Sequence, residues 1–216
     1  MKKIFLFICI SILIPLLSVK GQEFYISGGM GYNIVTMEKL NDYLHYNWNF
    51  RNRRDETHSA IEFYGLIGTT LLPNVSVETS FGYTLNSFTN NYGLGVYEFE
   101  YVFYIPELNF LYDLNYGYYG FQAGFGISYI LGSANETQPM TIQKITETTK
   151  GFAFNLKSTF YASLSYTLQA EVCISYRQAF MSDLMFDNFI ITQQHNEQLN
   201  LSFNSFGIKL GMRYRF

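Results

Sequence analysis

Between Phe24 and Phe216 the chain alternates apolar and polar residues in stretches of about ten residues, separated by turns. A period of two is typical of membrane β-strands, because successive side chains point to opposite faces of the sheet. Eight such stretches occur, near residues 24–34, 59–72, 75–85, 97–105, 119–129, 152–160, 168–177 and 206–216. The sequence therefore predicts an all-β fold, an eight-stranded antiparallel transmembrane up-and-down β-barrel.

The last stretch is predicted to close this barrel. A sheet in lipid must pair all its backbone groups, so it closes on itself and presents apolar side chains outward. A soluble β-sandwich is the alternative, in which the apolar faces would meet each other and the polar faces would meet water. The outward residues of the closing strand are predicted to be Ile208, Leu210, Met212, Tyr214 and Phe216.

The opposite face of the strands is predicted to line the interior, and it carries charges of both signs. Their near balance predicts an ion-paired, packed interior rather than an acidic or basic pore. An eight-stranded barrel is wide enough only for its own side chains or for one small ligand. The predicted interior charges are Glu62, Glu78, Glu98, Glu100, Glu171, Lys157, Arg177, Lys209, Arg213 and Arg215.

The connections between the stretches alternate in length. Long outer loops and short periplasmic turns are typical of bacterial barrels. An even number of strands then puts both termini in the periplasm. Pro106 interrupts the fourth stretch, and a bulge or strand end is expected there because proline lacks an amide donor. The predicted outer connections are 38–58, 89–95, 132–150 and 178–198, and the intervening, generally shorter ones lie near 73–74, 107–118 and 165–167. The short connection 89–95 and the longer 107–118 depart from this alternation.

The N-terminus has the pattern of a secretory signal peptide. Lys2 and Lys3 precede an apolar run, and Val19 and Gly21 occupy the −3 and −1 positions of a cleavage site before Gln22. We expect cleavage there, with an uncleaved anchor as the alternative. The predicted organisation is a signal peptide at 1–21, a barrel at 22–216, and a location in the bacterial outer membrane.

The composition agrees with a barrel whose outer face is apolar, since 19% of residues are aromatic and only 14% are charged. Residues 1–21 hold three of the 14 lysines and arginines and none of the 17 acidic residues, which leaves a formal net charge of −6 without them. An acidic chain argues against a nucleic-acid partner. Cys173 is the only cysteine after residue 21, so no internal disulfide is expected.

Candidate chemistry is sparse and lies in the predicted loops. The three histidines, His45, His58 and His195, could serve a lipid-modifying enzyme, but their neighbours have no catalytic or metal-binding spacing, and solvated loop residues are the preferred interpretation. Aromatic residues in 43–50 precede arginines in 51–54 and could contact lipopolysaccharide phosphates or a partner protein. An interfacial aromatic belt is the simpler interpretation. No catalytic, cofactor or metal site is predicted.

Three segments carry a resemblance to a known family. Tyr104–Phe110, with an apolar pair before Pro106, the glycine-rich Gly120–Gly126, and the closing Gly207–Phe216 resemble strands of the PorT-like outer-membrane β-barrel family, with OmpA-like and OmpW-like barrels as looser relatives. The resemblance implies an integral outer-membrane protein without catalytic residues. It also implies that the barrel-assembly machinery recognises the terminal Phe216. Some PorT-like members support protein secretion.

Three functions stay open at this point. The first is a non-enzymatic barrel with a filled interior and a structural or interaction role through its loops or periplasmic turns. The second is a lipid-modifying barrel enzyme that uses loop histidines. The third is a narrow barrel that transports a small solute or a hydrophobic ligand. The expected partners are outer-membrane lipid and lipopolysaccharide, the barrel-assembly machinery during insertion, and a protein at the loops.

Overall fold

In the computed structural model, which describes residues 23–48, 59–92, 95–137, 144–186, 189–190 and 199–216, eight long antiparallel strands close into a barrel. Each strand pairs with its neighbour along the chain, and the ring closes where Tyr25–Thr36 pairs with Asn204–Arg215. The predicted fold class is confirmed. The strands are β1 (Phe24–Thr36), β2 (Ser59–Leu72), β3 (Val75–Tyr92), β4 (Gly95–Asn115), β5 (Tyr119–Thr137), β6 (Lys144–Ser163), β7 (Leu168–Met181) and β10 (Phe203–Arg215).

Three further elements of the described chain lie at one end of the barrel. Helix α1 (Glu38–Trp48) follows β1, and the short strands β8 (Met185–Phe186) and β9 (Phe189–Ile190) follow β7. Strand β8 pairs with β6 through Met185 and Thr148. We call this end, which α1 occupies, the loop end.

The opposite end of the barrel, which we call the turn end, carries the start of β1, the end of β10 and the short connections between strands. Residues 73–74 join β2 to β3, and Asn74 adopts a positive φ of 68° that asparagine tolerates. Residues 116–118 join β4 to β5, with Gly117 at φ 86°. The predicted connection at 107–118 was therefore too long, because β4 continues to Asn115.

Pro106 does not interrupt β4, so the expected bulge or strand end is wrong. Tyr104 pairs with Leu131 and Glu107 pairs with Ser128, which is the same register on both sides of the proline. On the other edge Pro106 lies opposite Phe81 of β3. The neighbouring pairs therefore hold the strand in place although the proline itself has no amide to donate.

The outside of the barrel is apolar over most of its height. The predicted outward residues of the closing strand all lie on this surface, and each is at least 42% exposed. The band continues around the wall through residues of the other strands. Examples are Ile26, Met30, Phe63, Ile67, Phe81, Tyr104, Phe110, Phe125, Leu131, Phe152 and Leu156.

The interior has two halves of different chemistry. Charged and amide side chains fill the half nearer the turn end, whereas a hydrophobic cluster fills the loop end. Helix α1 contributes Leu40, Tyr43 and Leu44 to this cluster, at the i, i+3, i+4 spacing of one helix face. Phe99 and Phe103 of β4 belong to the same cluster from the side of the wall. The helix falls inside the predicted loop 38–58 and was not expected from the strand pattern.

No helix in the described part of the chain is both long and apolar enough to cross a membrane.

Two glycines give a direct test of how closely the strands approach one another. A Cβ atom on Gly124 would lie 1.9 Å from the carbonyl oxygen of Phe110, whereas one on Gly65 would meet no atom within 4 Å. We expect Gly124→Ala to destabilise the barrel by about 1–3 kcal/mol through overpacking. Gly65→Ala should be neutral or slightly stabilising because alanine has less conformational freedom to lose. Urea unfolding of the chain refolded in detergent micelles measures both, and equal midpoints would contradict the strand spacing.

Candidate functional site

Arg213 of β10 is the centre of the charged half of the interior. Its side chain is 2% exposed, and its Nε donates to the carboxylate of Glu171 at 2.9 Å. Its Nη2 donates to the amide oxygen of Gln122 at 2.8 Å and lies 3.5 Å from Glu78. The guanidinium thereby joins strands on opposite sides of the barrel.

Two aromatic rings enclose the same guanidinium. Its central carbon lies 4.3 Å from the ring centroid of Tyr25 and 4.8 Å from that of Tyr161, which is the range of cation–π contacts. A Cβ on Gly68 would lie 2.2 Å from the Tyr25 ring, and one on Gly120 would lie 2.3 Å from Tyr161. These glycines therefore leave the space in which the rings lie flat against the wall.

Glu62 of β2 is the centre of a second group of charges, nearer the middle of the barrel. Its carboxylate accepts from Lys209, from Arg177 at 3.2 Å and from the amide of Asn33 at 2.9 Å. Arg177 also donates to Glu107 at 3.0 Å. Both carboxylates are thus fully paired although water hardly reaches them, which is the condition for burying charge without a large penalty.

Glu78 and Glu171 are paired in the same way. Glu78 forms an ion pair with Lys157 and accepts from the hydroxyl of Tyr25 at 2.9 Å. Glu171, which also binds Arg213, accepts from the hydroxyl of Tyr64 at 2.8 Å. A cavity of about 20 Å³ lies between these groups, with Lys157, Arg177, Lys209 and Cys173 among its lining residues. This is room for about one water molecule.

The structure places seven of the ten predicted charges inside the described part of the barrel. These are Glu62, Glu78, Glu171, Lys157, Arg177, Lys209 and Arg213.

The prediction is wrong for Glu98 and Glu100, which face outward from β4. Their aromatic neighbours Tyr97, Phe99 and Tyr101 point inward instead and are almost completely buried. The error arose because the apolar face of this segment was taken as the outer face. The loop end of the interior is itself hydrophobic, so an apolar face here does not mark the outside.

Arg215 lies at the rim of the turn end rather than in the interior. Its side chain is 24% exposed and forms an ion pair with Glu23, which precedes β1. The parity of the closing strand predicts its direction, but Arg215 is the last residue of β10 and lies at the rim, beyond the enclosed part of the barrel.

Four interior acids were missed by the sequence analysis. Glu107 and Asp113 were placed in the supposed connection after Pro106, whereas Asp113 accepts from Tyr161 at 2.7 Å inside the barrel. Glu136 and Glu147 were placed in a loop, whereas they lie on the inward faces of β5 and β6. Carrying the alternation of β5 and β6 past their apolar parts would have found Glu136 and Glu147, whereas Glu107 and Asp113 share the face of β4 that the sequence pattern predicts to be the outer one.

Glu136 and Glu147 differ from the other buried acids. Glu136 accepts from the hydroxyl of Tyr97 at 2.8 Å and from that of Tyr43 at 3.1 Å. The pKa of Glu147 is raised from the ordinary value of 4.5 to about 8, first by burial and then by the charge of Glu136. Both lie beyond the apolar band, since the outward residues at their level are Glu100 and Asn135, which bond to each other.

Most residues of the histidine hypothesis lie outside the described part of the chain. His58, His195 and the arginines at 51–54 lie there, and His45 is placed only as a residue of α1. The predicted signal peptide, residues 1–21, also lies outside the described residues. Within the described residues, no group of three or more histidine, cysteine, aspartate or glutamate side chains could hold a metal ion.

Comparison with known proteins supports the fold and does not establish a family. No protein-family model and no curated protein matches the chain, so the similarity to PorT-like barrels is one of short segments. Solved structures do match. A major outer membrane protein from Thermus thermophilus has a TM-score of 0.59 at 12% identity, with 91% of this chain and 100% of that chain covered.

Two further matches are proteins of other bacteria. The attachment invasion locus protein Ail of Yersinia pestis has a TM-score of 0.54 at 13% identity, covering 90% of this chain and 99% of that one. Neisserial surface protein A has a TM-score of 0.53 at 10% identity, covering 91% of this chain and 100% of that one. At these identities the likeness is one of fold.

The Arg213 cluster generates a stability prediction. Arg213→Ala should destabilise the folded barrel by about 3–5 kcal/mol, because Glu171 stays buried without its cation. Arg215→Ala, which removes the same charge from the partly exposed rim, should cost at most about 1 kcal/mol. Urea unfolding in detergent micelles compares the two, and similar losses would mean that the interior network contributes little.

Proposed function

We propose that this chain is an integral protein of the bacterial outer membrane. The closed wall pairs its strands all around, and its outer surface carries a continuous apolar band. A closed barrel with such a band is the way that strands cross lipid without exposing unpaired backbone groups. The fold likeness to the outer membrane protein of Thermus thermophilus supports this location.

The barrel would stand with its turn end in the periplasm. Short turns at residues 73–74, 116–118 and 164–167 fit the periplasmic side, where bacterial barrels have their short connections. The loop end, with α1 and the polar extensions of β4 to β6, would then face outward. Phe216 would lie on the periplasmic side, where the assembly machinery meets the chain.

We further propose that the protein acts without a pore and without catalysis, through contacts made at its ends. The observation that carries this proposal is that the interior is filled along the described part of its height. Ion pairs around Glu62 and Arg213 occupy the turn-end half, and α1 with the hydrophobic cluster occupies the other. A contact surface is then available at the loop end for lipopolysaccharide or a protein. The resemblance to PorT-like barrels, some of which support protein secretion, makes a secretion partner one candidate.

The membrane proposal predicts where charge is tolerated. Leu210, 60% exposed, lies in the middle of the outward row of β10, and Leu210→Arg should lower stability in lipid by about 2–4 kcal/mol. The matched change Asn204→Arg alters a residue that is already polar and exposed near the loop end of the same strand. Unfolding titrations in phospholipid vesicles measure the difference. Equal tolerance of arginine at both positions would argue against a lipid-facing band.

The filled interior predicts that the purified chain is electrically silent in planar lipid bilayers, with a porin of known conductance as the positive control. Reproducible unit conductance steps would contradict the filled barrel and favour a transport role.

Crosslinking and pull-down from intact cells then tests the interaction role. A change in lipid A or phospholipid profile after substitution of His45, His58 or His195 would instead support a lipid-modifying enzyme.

A further inference from the structure

Two buried carboxyl groups lie side by side at the loop end of the barrel. In the β5–β6 ladder Glu147 pairs with Ala134, and Glu136 pairs with Ile145. The two glutamates are therefore diagonal neighbours on the inward face, close enough for their side chains to interact. Each residue is only 3% exposed.

This pair also connects α1 to the wall of the barrel. Tyr43, on the buried face of α1, donates its hydroxyl hydrogen to Glu136, and Tyr97 of β4 donates to the same carboxylate. Hydrophobic burial of the apolar side chains of α1 is not directional. The hydrogen bond from Tyr43 to Glu136 is directional and therefore favours one position of the helix. The Glu136 carboxylate is thus a polar anchor beside the hydrophobic cluster that α1 joins.

The charged half of the interior neutralises its acids with cations, whereas no cation in the described part of the chain neutralises this pair. Among the described residues, neither glutamate forms an ion pair with a lysine or arginine. The titratable groups that face Glu147 there are Glu136 from β5, Tyr97 from β4 and, through Glu136, Tyr43 from α1. Two buried carboxylates without a cation repel each other, and a proton on one of them removes the repulsion.

We propose that Glu136 and Glu147 form a proton-dependent latch, which holds α1 in the loop end of the barrel while Glu147 is protonated and releases the helix when both carboxyls are ionised. The pair lies at the level of the outward polar residues Glu100, Asn135 and Thr146, beyond the apolar band. The solution at the loop end therefore supplies and removes the proton. Release would expose the apolar face of α1 and the aromatic residues of the cluster to solvent.

The direction of the pH dependence follows from linkage. With α1 docked, the pKa of Glu147 is about 8, and in the released, hydrated state it returns towards 4.5. Between these values the docked state holds one proton more than the released state. Docking is therefore tightest below about pH 4.5, weakens by up to about tenfold per pH unit as the pH rises towards 8, and is constant above that.

Hydrogen exchange of the full chain in detergent micelles tests the latch. The readout is the protection factor of the α1 amides, from which the intrinsic pH dependence of exchange is divided out. From pH 5 to pH 8 we expect this protection to fall by more than about 100-fold, while that of the β1–β10 ladder falls less. An α1 protection that stays constant over this range would overturn the proposal.

Variants separate the latch from general effects of pH. Glu147→Gln keeps a neutral side chain in place, so α1 should stay protected at pH 8. Glu98→Gln removes an acid from the outward face of β4 and should keep the native pH dependence. Tyr43→Phe should lower α1 protection at every pH by removing the anchor.

Two results would count against the latch even if the native chain responds to pH. One is a Glu147→Gln variant that loses α1 protection just as the native chain does. The other concerns Glu136→Gln, which decides the matter if Glu147→Gln fails to fold. Removing the neighbouring charge should shift the loss of protection to lower pH values, and an unchanged midpoint would contradict the proposed coupling.

Discussion

Pairing of β1 with β10 is the constraint on which the rest of this structure depends. Once the first and last strands share a ladder, every inward side chain faces a closed space of fixed width, and every outward one faces the surroundings. A slip of one residue in this ladder would exchange the two faces of the closing strand and bring Lys209 and Arg213 onto the apolar surface. The interior contacts of these two residues, with Glu62 and with Glu171, therefore hold the register as well as filling the space.

The alternation of residues was sufficient to predict the barrel, the number of its strands and most of its charged interior. It failed on β4, where the apolar face was taken as the outer one. Asn109 and Asp113 point inward on that strand. Because side chains alternate without a break through Pro106, the odd-numbered residues of β4 face inward and Glu98 faces outward. Local hydrophobicity could not reveal this, because the interior of this barrel changes from polar to apolar along its axis.

That change of polarity has a physical cause outside the strands. Helix α1 brings its own apolar face into the loop end, and most of the wall residues buried there are apolar as well, with Glu136 and Glu147 as polar exceptions. The strand pattern alone contains no information about which loop folds back. The spacing of Leu40, Tyr43 and Leu44 carries a weak helical signal, but only the structure shows that these residues share a cluster with aromatic side chains of the wall, such as Phe99 and Phe103.

The ion pairs across the interior also bear on the order in which the barrel forms. The ion-paired Lys209 and Glu62 are separated by 147 residues, and Ser27 and Glu171, which form a hydrogen bond, by 144. Hairpins between successive strands can assemble while the chain is still open, but these contacts can form only when its two ends meet. They therefore belong to the final step of folding. Interactions gained after the main barrier slow unfolding and leave the rate of folding nearly unchanged, so the charged interior acts chiefly on the lifetime of the closed barrel.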